Sequence, residues 1–245
     1  MLHSPRAMAL FPHSRTPLAP RMIGRAGAGL DNADWAANRE VAAIGQGGEL
    51  RTAAVLHQAL LAGERGPTVM HDLMLPVRGV KANIDHVVVS GRDVWLFDSK
   101  VWKPGVYWTF GGHTRRGWSL KKIGYMDKKT AAMARQSITE LLSAYGIRAK
   151  VHRTVLVVWS SSKHGKPNLV WYKPVGARPM AGESLQRFCR HMHRPASPDI
   201  VTALARLVVD RSLATAAVAA PVLDVPDDWL DDSPGPAVPD DDVWG

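Results

Sequence analysis

Asp98 and Lys100 are the residues of this sequence whose types and spacing point most directly to chemistry. They lie two apart in the apolar, β-branched run VWLFDSKV at 94–101, which predicts a β-strand. Side chains alternate between the two faces of a strand, so Asp98 and Lys100 project from one face while Ser99 points away. The run therefore presents a carboxylate and an amine side by side.

A second acid, Asp85, interrupts another apolar run, IDHVVV at 84–89. The residues between the two runs, SGRD at 90–93, have turn chemistry at hairpin spacing and predict adjacent antiparallel strands. We therefore expect the hairpin to bring Asp85 within reach of Asp98. By alternation, His86 points away from Asp85, and we interpret it as a core or supporting histidine rather than a ligand.

Two carboxylates and an amine on one surface suit phosphodiester hydrolysis. That reaction needs hard oxygen ligands for Mg²⁺ or Mn²⁺, a polarised water, and a positive group for the charge that builds on phosphorus. Asp85 and Asp98, helped by the carbonyl of Ser99, are expected to bind the metal. Lys100 is expected to orient or deprotonate the attacking water and to stabilise the transition state. Glu49 is a candidate for binding a second ion or positioning water.

Hydrophobic periodicity predicts the elements that position these residues. Apolar residues recur near the 3.6-residue period over 48–62, which predicts a helix with Glu49 in its first turn. A later helix over 128–145 is closed by Gly146, and the apolar run at 151–159 predicts a buried strand. The remaining predicted elements are a strand at 69–75, a hairpin at 105–120, a short strand at 170–175, and helices at 183–193 and 199–213. This order predicts an α/β fold, with a sheet flanked by helices.

The segments GGEL at 47–50 and NIDHVVVSGRDVWLFDSKVW at 83–102 resemble the nuclease-related domain (NERD) family. That family is similar to the PD-(D/E)xK superfamily. The resemblance therefore implies a restriction-endonuclease-like core, a mixed sheet between helices, and a metal-dependent nuclease acting on DNA. In the family pattern a glutamine opens a later helix, and Gln136 matches it as a further candidate catalytic residue. Asp98 stands where the family more often has glutamate, and the residues around Trp102 also depart from the family pattern.

Each candidate also has a simpler structural interpretation. Asp98 and Lys100 would form an exposed ion pair, which contributes little to stability. Glu49 would stabilise a helix dipole from the first turn without any metal, and Gln136 needs no role on an exposed helix face. The second functional hypothesis is accordingly a non-catalytic nucleic-acid-binding or regulatory module that retains the nuclease-like fold.

Basic and aromatic residues are interleaved in the region that follows the DxK strand. A groove that follows a nucleic-acid strand uses such residues for phosphate contact and base stacking. The pattern is equally compatible with a solvated hairpin whose tryptophans are buried. The candidate nucleic-acid-binding residues are Arg115, Arg116, Lys121, Lys122, Lys128 and Lys129, with Trp108, Trp118 and Tyr125 among them.

The net charge of +9 conceals an asymmetry along the chain. Eight of the 22 acidic residues lie in the last 22 positions, which contain no Lys or Arg, so residues 1–223 carry 31 basic and 14 acidic residues, a net charge of +17. A body this basic attracts a polyanion, and nucleic acid is the usual one. The expected partner is therefore nucleic acid, with DNA in the leading hypothesis.

Composition predicts one domain with appendages. The expected parts are a disordered basic arm at 1–30, the nuclease-like domain at 40–160, an extension packed on it at 161–213, and an acidic disordered tail at 214–245. The Pro-rich tail places acids beside tryptophan at 225–229 and again at 238–244. It is a candidate for contact with a protein partner or with the basic face of the same chain.

Cysteine content and hydropathy bear on the compartment. The single cysteine, Cys189, cannot form a disulfide within the chain, which suits a reducing cytoplasm. No apolar stretch approaches the roughly 18 residues that a membrane-spanning helix needs. We therefore expect a cytoplasmic protein that does not act at a membrane.

Overall fold

The computed structural model describes residues 19–28, 39–80, 82–118, 122–123 and 130–209. The helices are α1 (Arg39–Leu60), α2 (Thr130–Ala144), α3 (Leu185–Cys189) and α4 (Pro198–Ala205), with a 3₁₀ turn at Gly182–Ser184. The strands are β1 (Met22–Ile23), β2 (Thr68–Met74), β3 (Asn83–Ser90), β4 (Asp93–Trp102), β5 (Gly105–Phe110), β6 (His113–Arg116), β7 (Lys150–Val151), β8 (Thr154–Ser160), β9 (Pro167–Trp171) and β10 (Ala177–Ala181). Within these ranges no helix combines the length and apolarity needed to cross a membrane. The fold is α/β, as the order of hydrophobic patterns predicts.

Seven of the described strands form the main sheet. Its order is β1-β2-β3-β4-β8-β10, and β7 also pairs with β4. The strands β2, β3 and β4 are antiparallel neighbours, whereas β8 is parallel to β4 and β10 is parallel to β8. The sheet is therefore mixed. Most of β3 and β8 is buried, which explains why their apolar runs lack the polar alternation of a half-exposed strand.

Helices cover both faces of the main sheet. On one face α2 and α4 pack against the strands, with Ile138 and Leu204 in the same core as Leu96 of β4. On the other face α1 and α3 pack, with Leu56 of α1 in the same core as Phe97 of β4. Burying a side chain of this size stabilises the fold by about 1.5–3 kcal/mol. Because consecutive residues of β4 serve opposite cores, the alternation along this strand is fixed by packing.

A second, three-stranded sheet follows the end of β4. Its order is β6-β5-β9, and β5 and β6 form the hairpin expected over 105–120. Trp102 at the end of β4 packs against Tyr107 and Tyr172, and the same core includes Leu156 of β8. This aromatic cluster fixes the small sheet next to the end of β4.

Several boundaries differ from those predicted. The single strand expected over 151–159 is two strands, because the pairing with β4 shifts by one residue between Val94↔Val151 and Phe97↔Val155. The strand expected at 170–175 lies earlier, as β9, and β10 was not predicted. The sequence of β10, ARPMA, contains a proline and no regular apolar alternation, because it is a terminal strand of the main sheet.

Part of the segment expected to be a disordered arm is ordered. Residues 19–28 are described, and β1 lies parallel to β2 with Ile23 buried. The Arg21 guanidinium donates to the carbonyls of Gly63 and Pro67, each at 2.8 Å, just beyond the end of α1. These contacts hold the segment against the sheet. The rest of the arm and the whole acidic tail predicted at 214–245 lie outside the described residues.

Candidate active site

Asp85 lies where the pairing of β3 with β4 ends. The ladder between these strands closes with His86 opposite Phe97. At the next position the Asp85 carboxylate accepts the main-chain N–H of Ser99, with 2.6 Å between Oδ2 and N. Asp85 is buried at 8% exposure, so a charged group interrupts the apolar strand and contacts β4 directly. The hairpin thus brings Asp85 to β4, the strand that carries Asp98 and Lys100.

Asp98 and Lys100 lie side by side at the same end of β4. Nζ of Lys100 is 2.5 Å from Oδ1 of Asp98. Ser99 points towards α1 instead, where its hydroxyl donates to the hydroxyl of Thr52 at 2.9 Å. The Lys100 side chain is 43% exposed, so solvent reaches this ion pair and screens part of its attraction. The site therefore has an accessible cation beside the half-buried carboxylate of Asp98 and the buried carboxylate of Asp85.

Glu49 reaches the site from the middle of α1. The helix was predicted to begin near residue 48, but it begins at Arg39. Glu49 therefore lies in the middle of α1 and not in its first turn. Stabilisation of the helix dipole therefore does not explain this acid. Burial and the nearby Asp85 are the main causes that raise the pKa of Glu49 to about 9. The glutamate is thus an acid within reach of the other carboxylates.

Gly48 permits the close approach of α1 to β4. A Cβ at this position would lie 2.6 Å from Cγ2 of Val101, and Val101 is β-branched and stiff. At the neighbouring Gly47, a Cβ would meet nothing within 4 Å. The glycine before Glu49 therefore sets the distance between the helix and the DxK strand.

Gly48→Ala is expected to destabilise the protein by about 1–3 kcal/mol and to lower any activity of the site, because α1 must move away from β4. Gly47→Ala is the matched control. It should leave stability unchanged or raise it by about 0.5–1 kcal/mol, since alanine is the better helix former. Chemical unfolding of the two variants measures the difference. Equal stabilities would contradict the proposed close approach.

The carboxylates of the site repel one another. Burial and Asp98 raise the pKa of Asp85 to about 7, although Lys100 opposes this shift. For Lys100, burial lowers the pKa, but the surrounding carboxylates outweigh burial and hold the pKa above its ordinary value. One lysine thus faces several acids, and a bound cation would relieve the repulsion that helps to raise their pKa values.

The donor chemistry of this cluster fits a hard divalent cation. Glu49, Asp85 and Asp98 offer carboxylate oxygens, the ligands that Mg²⁺ and Mn²⁺ prefer. Within the described residues, however, no three His, Cys, Asp or Glu side chains converge closely enough to form a ready-made metal site.

Three histidines, one each from α1, β2 and β3, form a hydrogen-bonded row next to the site. His57 Nε2 lies 2.7 Å from His71 Nε2, and His71 Nδ1 lies 2.8 Å from His86 Nδ1. Burial lowers the pKa of all three rings, that of His71 to about 4. A neutral imidazole ring can donate one hydrogen bond and accept one, so the three rings can bond to one another in a row. His86 also bonds to the main chain of Glu49, so these histidines tie α1 to β2 and β3.

The interpretation of His86 as a supporting histidine agrees with these contacts, whereas the role of His71 was missed. His71 was predicted only as a strand residue, because its partners lie on α1 and β3 and no local pattern indicates them.

Gln136 lies on the exposed side of α2. Its side-chain amide donates to Oε1 of Glu140 at 2.8 Å. The structure thus places this candidate in a surface pair within its own helix, and does not bring it to the carboxylates of β3 and β4.

The candidate nucleic-acid-binding residues occupy different environments. Arg115 is only 8% exposed, and its guanidinium carbon lies 5.7 Å from the ring centroid of Trp108. It is therefore a buried residue of the small sheet rather than a surface phosphate contact. Arg116 is half-buried and Lys122 is exposed. Lys121, Lys128 and Lys129 lie outside the described residues.

Comparison with known proteins supports the family suggested by the sequence. The family model described as nuclease-related domain matches residues 44–158, a range that contains Glu49, Asp85, Asp98 and Lys100. No curated protein and no solved structure matches the chain. Residues 44–158 of the chain are therefore similar to the nuclease-related domain (NERD) family.

Proposed function

We propose that the protein is a metal-dependent nuclease that hydrolyses phosphodiester bonds of DNA with Mg²⁺ or Mn²⁺. The observation that carries the proposal is the meeting of acids from α1, β3 and β4 around one lysine: Glu49, Asp85, Asp98 and Lys100. Strongly shifted pKa values in a cluster of charged groups mark a candidate functional site. The nuclease-related domain agrees with this class of activity.

The side chains suggest a division of roles. Asp85 and Asp98 would hold the cation, with Glu49 as a further oxygen donor. The cation would polarise the attacking water and the phosphoryl oxygen. The raised pKa of Lys100 keeps its amine protonated at neutral pH. This favours charge stabilisation on the phosphoryl oxygens over proton abstraction from water, the other role that the sequence leaves open for Lys100.

The small sheet supports an interaction with nucleic acid. Three aromatic side chains of this region are largely exposed, Phe110 at 67%, Trp118 at 101% and Trp171 at 64%. Exposed aromatic rings stack on bases, and a nearby cation contacts phosphate. Lys173 is exposed, and its main chain bonds to Thr109 of β5. Because the small sheet begins just after β4, this surface lies on the chain next to the proposed catalytic strand.

A second candidate function is a non-catalytic nucleic-acid-binding or regulatory module. The ion pair between Lys100 and Asp98 favours it, because each group already satisfies the other at 2.5 Å. The separation of the acids among the described residues points in the same direction. Such a protein would bind nucleic acid through its basic and aromatic surface without turning it over.

A cleavage assay tests the proposal against this alternative. The full chain is incubated with supercoiled plasmid and with linear duplex in Mg²⁺, Mn²⁺ or EDTA. We expect cleavage with either cation and none in EDTA. Asp98→Asn should slow cleavage by about a hundredfold or more, since it replaces a metal-ligand oxygen. Glu64→Gln removes an exposed loop acid and should cleave as the wild type does.

Binding without a product in either cation would support the non-catalytic module. Cleavage that survives both EDTA and Asp98→Asn would show that the activity belongs to another site or to a contaminant.

A further inference from the structure

Asp72 on β2 is a buried acid outside the catalytic set proposed above. It is only 2% exposed. The amide of Asn83 donates to its Oδ1 at 2.5 Å, but Oδ2 has no hydrogen-bond partner among the described residues. Burying an unpaired carboxylate oxygen is unfavourable, so this atom calls for a partner of positive charge.

Strand register places Asp72 beside the proposed catalytic acids. β2 and β3 pair with His71 opposite His86, so the next position on β2, Asp72, lies opposite Asp85. Asp72 therefore lies across from a proposed ligand of the cation.

Asp98 on β4 lies on the other side of β3 from Asp72. The pairing of β3 with β4 ends with His86 opposite Phe97, and just beyond it the Asp85 carboxylate accepts the main-chain N–H of Ser99, the neighbour of Asp98. The residues Asp72, Asp85 and Asp98 thus stand on three neighbouring strands, β2, β3 and β4.

The backbone at Asp72 does not require a charged side chain. Its φ is 54°, in the left-handed region that asparagine and aspartate tolerate better than other residues with a Cβ. Its carbonyl accepts the N–H of Val209 at 2.9 Å. Asparagine would serve the turn and would still accept the bond from Asn83. The local structure therefore explains one oxygen of Asp72 and leaves Oδ2 unexplained.

We propose that Asp72 is a fourth carboxylate of this site and that its Oδ2 is an oxygen ligand for the divalent cation. The inference rests on the cation site of the proposed nuclease, but not on turnover of DNA. Asp72 differs from the other acids because it comes from β2, outside the hairpin that carries Asp85 and Asp98. The site then draws its oxygens from four elements, α1, β2, β3 and β4.

Calorimetric titration of the full chain with Mn²⁺, without nucleic acid, tests this inference. Asp72→Asn keeps the acceptor for Asn83 and replaces one carboxylate oxygen. We expect it to weaken Mn²⁺ binding about tenfold or more, at least as much as the loss of an outer partner of a metal ligand. Asn83→Ala removes the hydrogen bond to Asp72 and keeps the carboxylate, so it should lose less Mn²⁺ affinity than Asp72→Asn. Glu64→Gln, at an exposed loop acid, should bind Mn²⁺ within about twofold of the wild type.

The outcomes separate this inference from the nuclease proposal. Wild-type affinity in Asp72→Asn, or no Mn²⁺ binding by the wild type, would overturn the inference. An equal loss of affinity in Asn83→Ala would also overturn it, since the hydrogen bond would then be what matters. If neither the wild type nor any variant cleaves DNA, while Asp72→Asn loses more Mn²⁺ affinity than Asn83→Ala does, the inference stands and the nuclease proposal fails. Thermal unfolding in EDTA verifies that each variant folds, and Asp72→Gly, which also accepts a positive φ, replaces Asp72→Asn if needed.

Discussion

Lys100→Ala is expected to slow Mg²⁺-dependent cleavage of DNA by about a hundredfold to a thousandfold, the effect of removing one group that stabilises charge in a transition state. Asp98 holds the Lys100 ammonium in place, and the surrounding acids keep it protonated. Alanine removes that charge and leaves the carboxylates to the cation. Single-turnover cleavage rates measure the loss, and fluorescence anisotropy with labelled duplex in Ca²⁺ measures binding separately.

DNA affinity should change little in Lys100→Ala, because one phosphate contact among many contributes only a share of the electrostatic binding. Lys150→Ala is the matched control. Lys150 is exposed and lies opposite Asp93 in the pairing of β7 with β4, at the other end of β4 from Lys100. Its replacement therefore removes the same charge at a distance from Asp85 and Asp98. Equal cleavage rates for the two variants would place the chemistry away from Lys100. A parallel loss of binding and cleavage would make Lys100 a binding residue only.

The part of the site that lies on one hairpin was predictable from sequence. The positions of Asp85, Asp98 and Lys100 follow from a period of two and from the length of one turn, and both are local properties. The structure shows these contacts as expected. Glu49 was identified through its glycine-glutamate pair, but its place in the middle of α1 was not, because the residues before it carry no clear start signal.

The contacts that were missed depend on pairing between distant segments. Asp72 reads as an ordinary polar residue of a strand until the register shows it opposite Asp85. Arg115 reads as a surface cation until Trp108 is seen to cover it. In both cases the environment is set by residues that sequence spacing does not relate. Chemistry within one supersecondary unit was therefore predictable, whereas burial and partnership across units were not.

Asp85→Asn is expected to stabilise the protein at pH 8 in EDTA and to destabilise it relative to the wild type in saturating Mg²⁺. Burial and Asp98 raise the pKa of Asp85 from 3.8 to about 7. A raised pKa contributes stability fully below pH 3.8, and this contribution is lost as the pH rises towards 7, because the unfolded chain gives up its proton first. At pH 8 the wild type therefore bears the full free-energy cost of ionising the buried Asp85 carboxylate. Asparagine removes this cost, and its side-chain oxygen can still accept the main-chain N–H of Ser99.

The expected gain in EDTA is about 2 kcal/mol, since one pKa unit corresponds to about 1.4 kcal/mol and the coupling to other acids takes up part of the shift. In Mg²⁺ the order reverses, because a cation at a hundred times its dissociation constant stabilises the wild type by about 2.7 kcal/mol and the variant by much less. Guanidinium unfolding at pH 8, with and without Mg²⁺, measures both effects, and Glu64→Gln should follow the wild type in each. If the variant is less stable than the wild type in EDTA, the Asp85 carboxylate itself stabilises the fold. It would then not be a destabilising charge that a bound cation compensates.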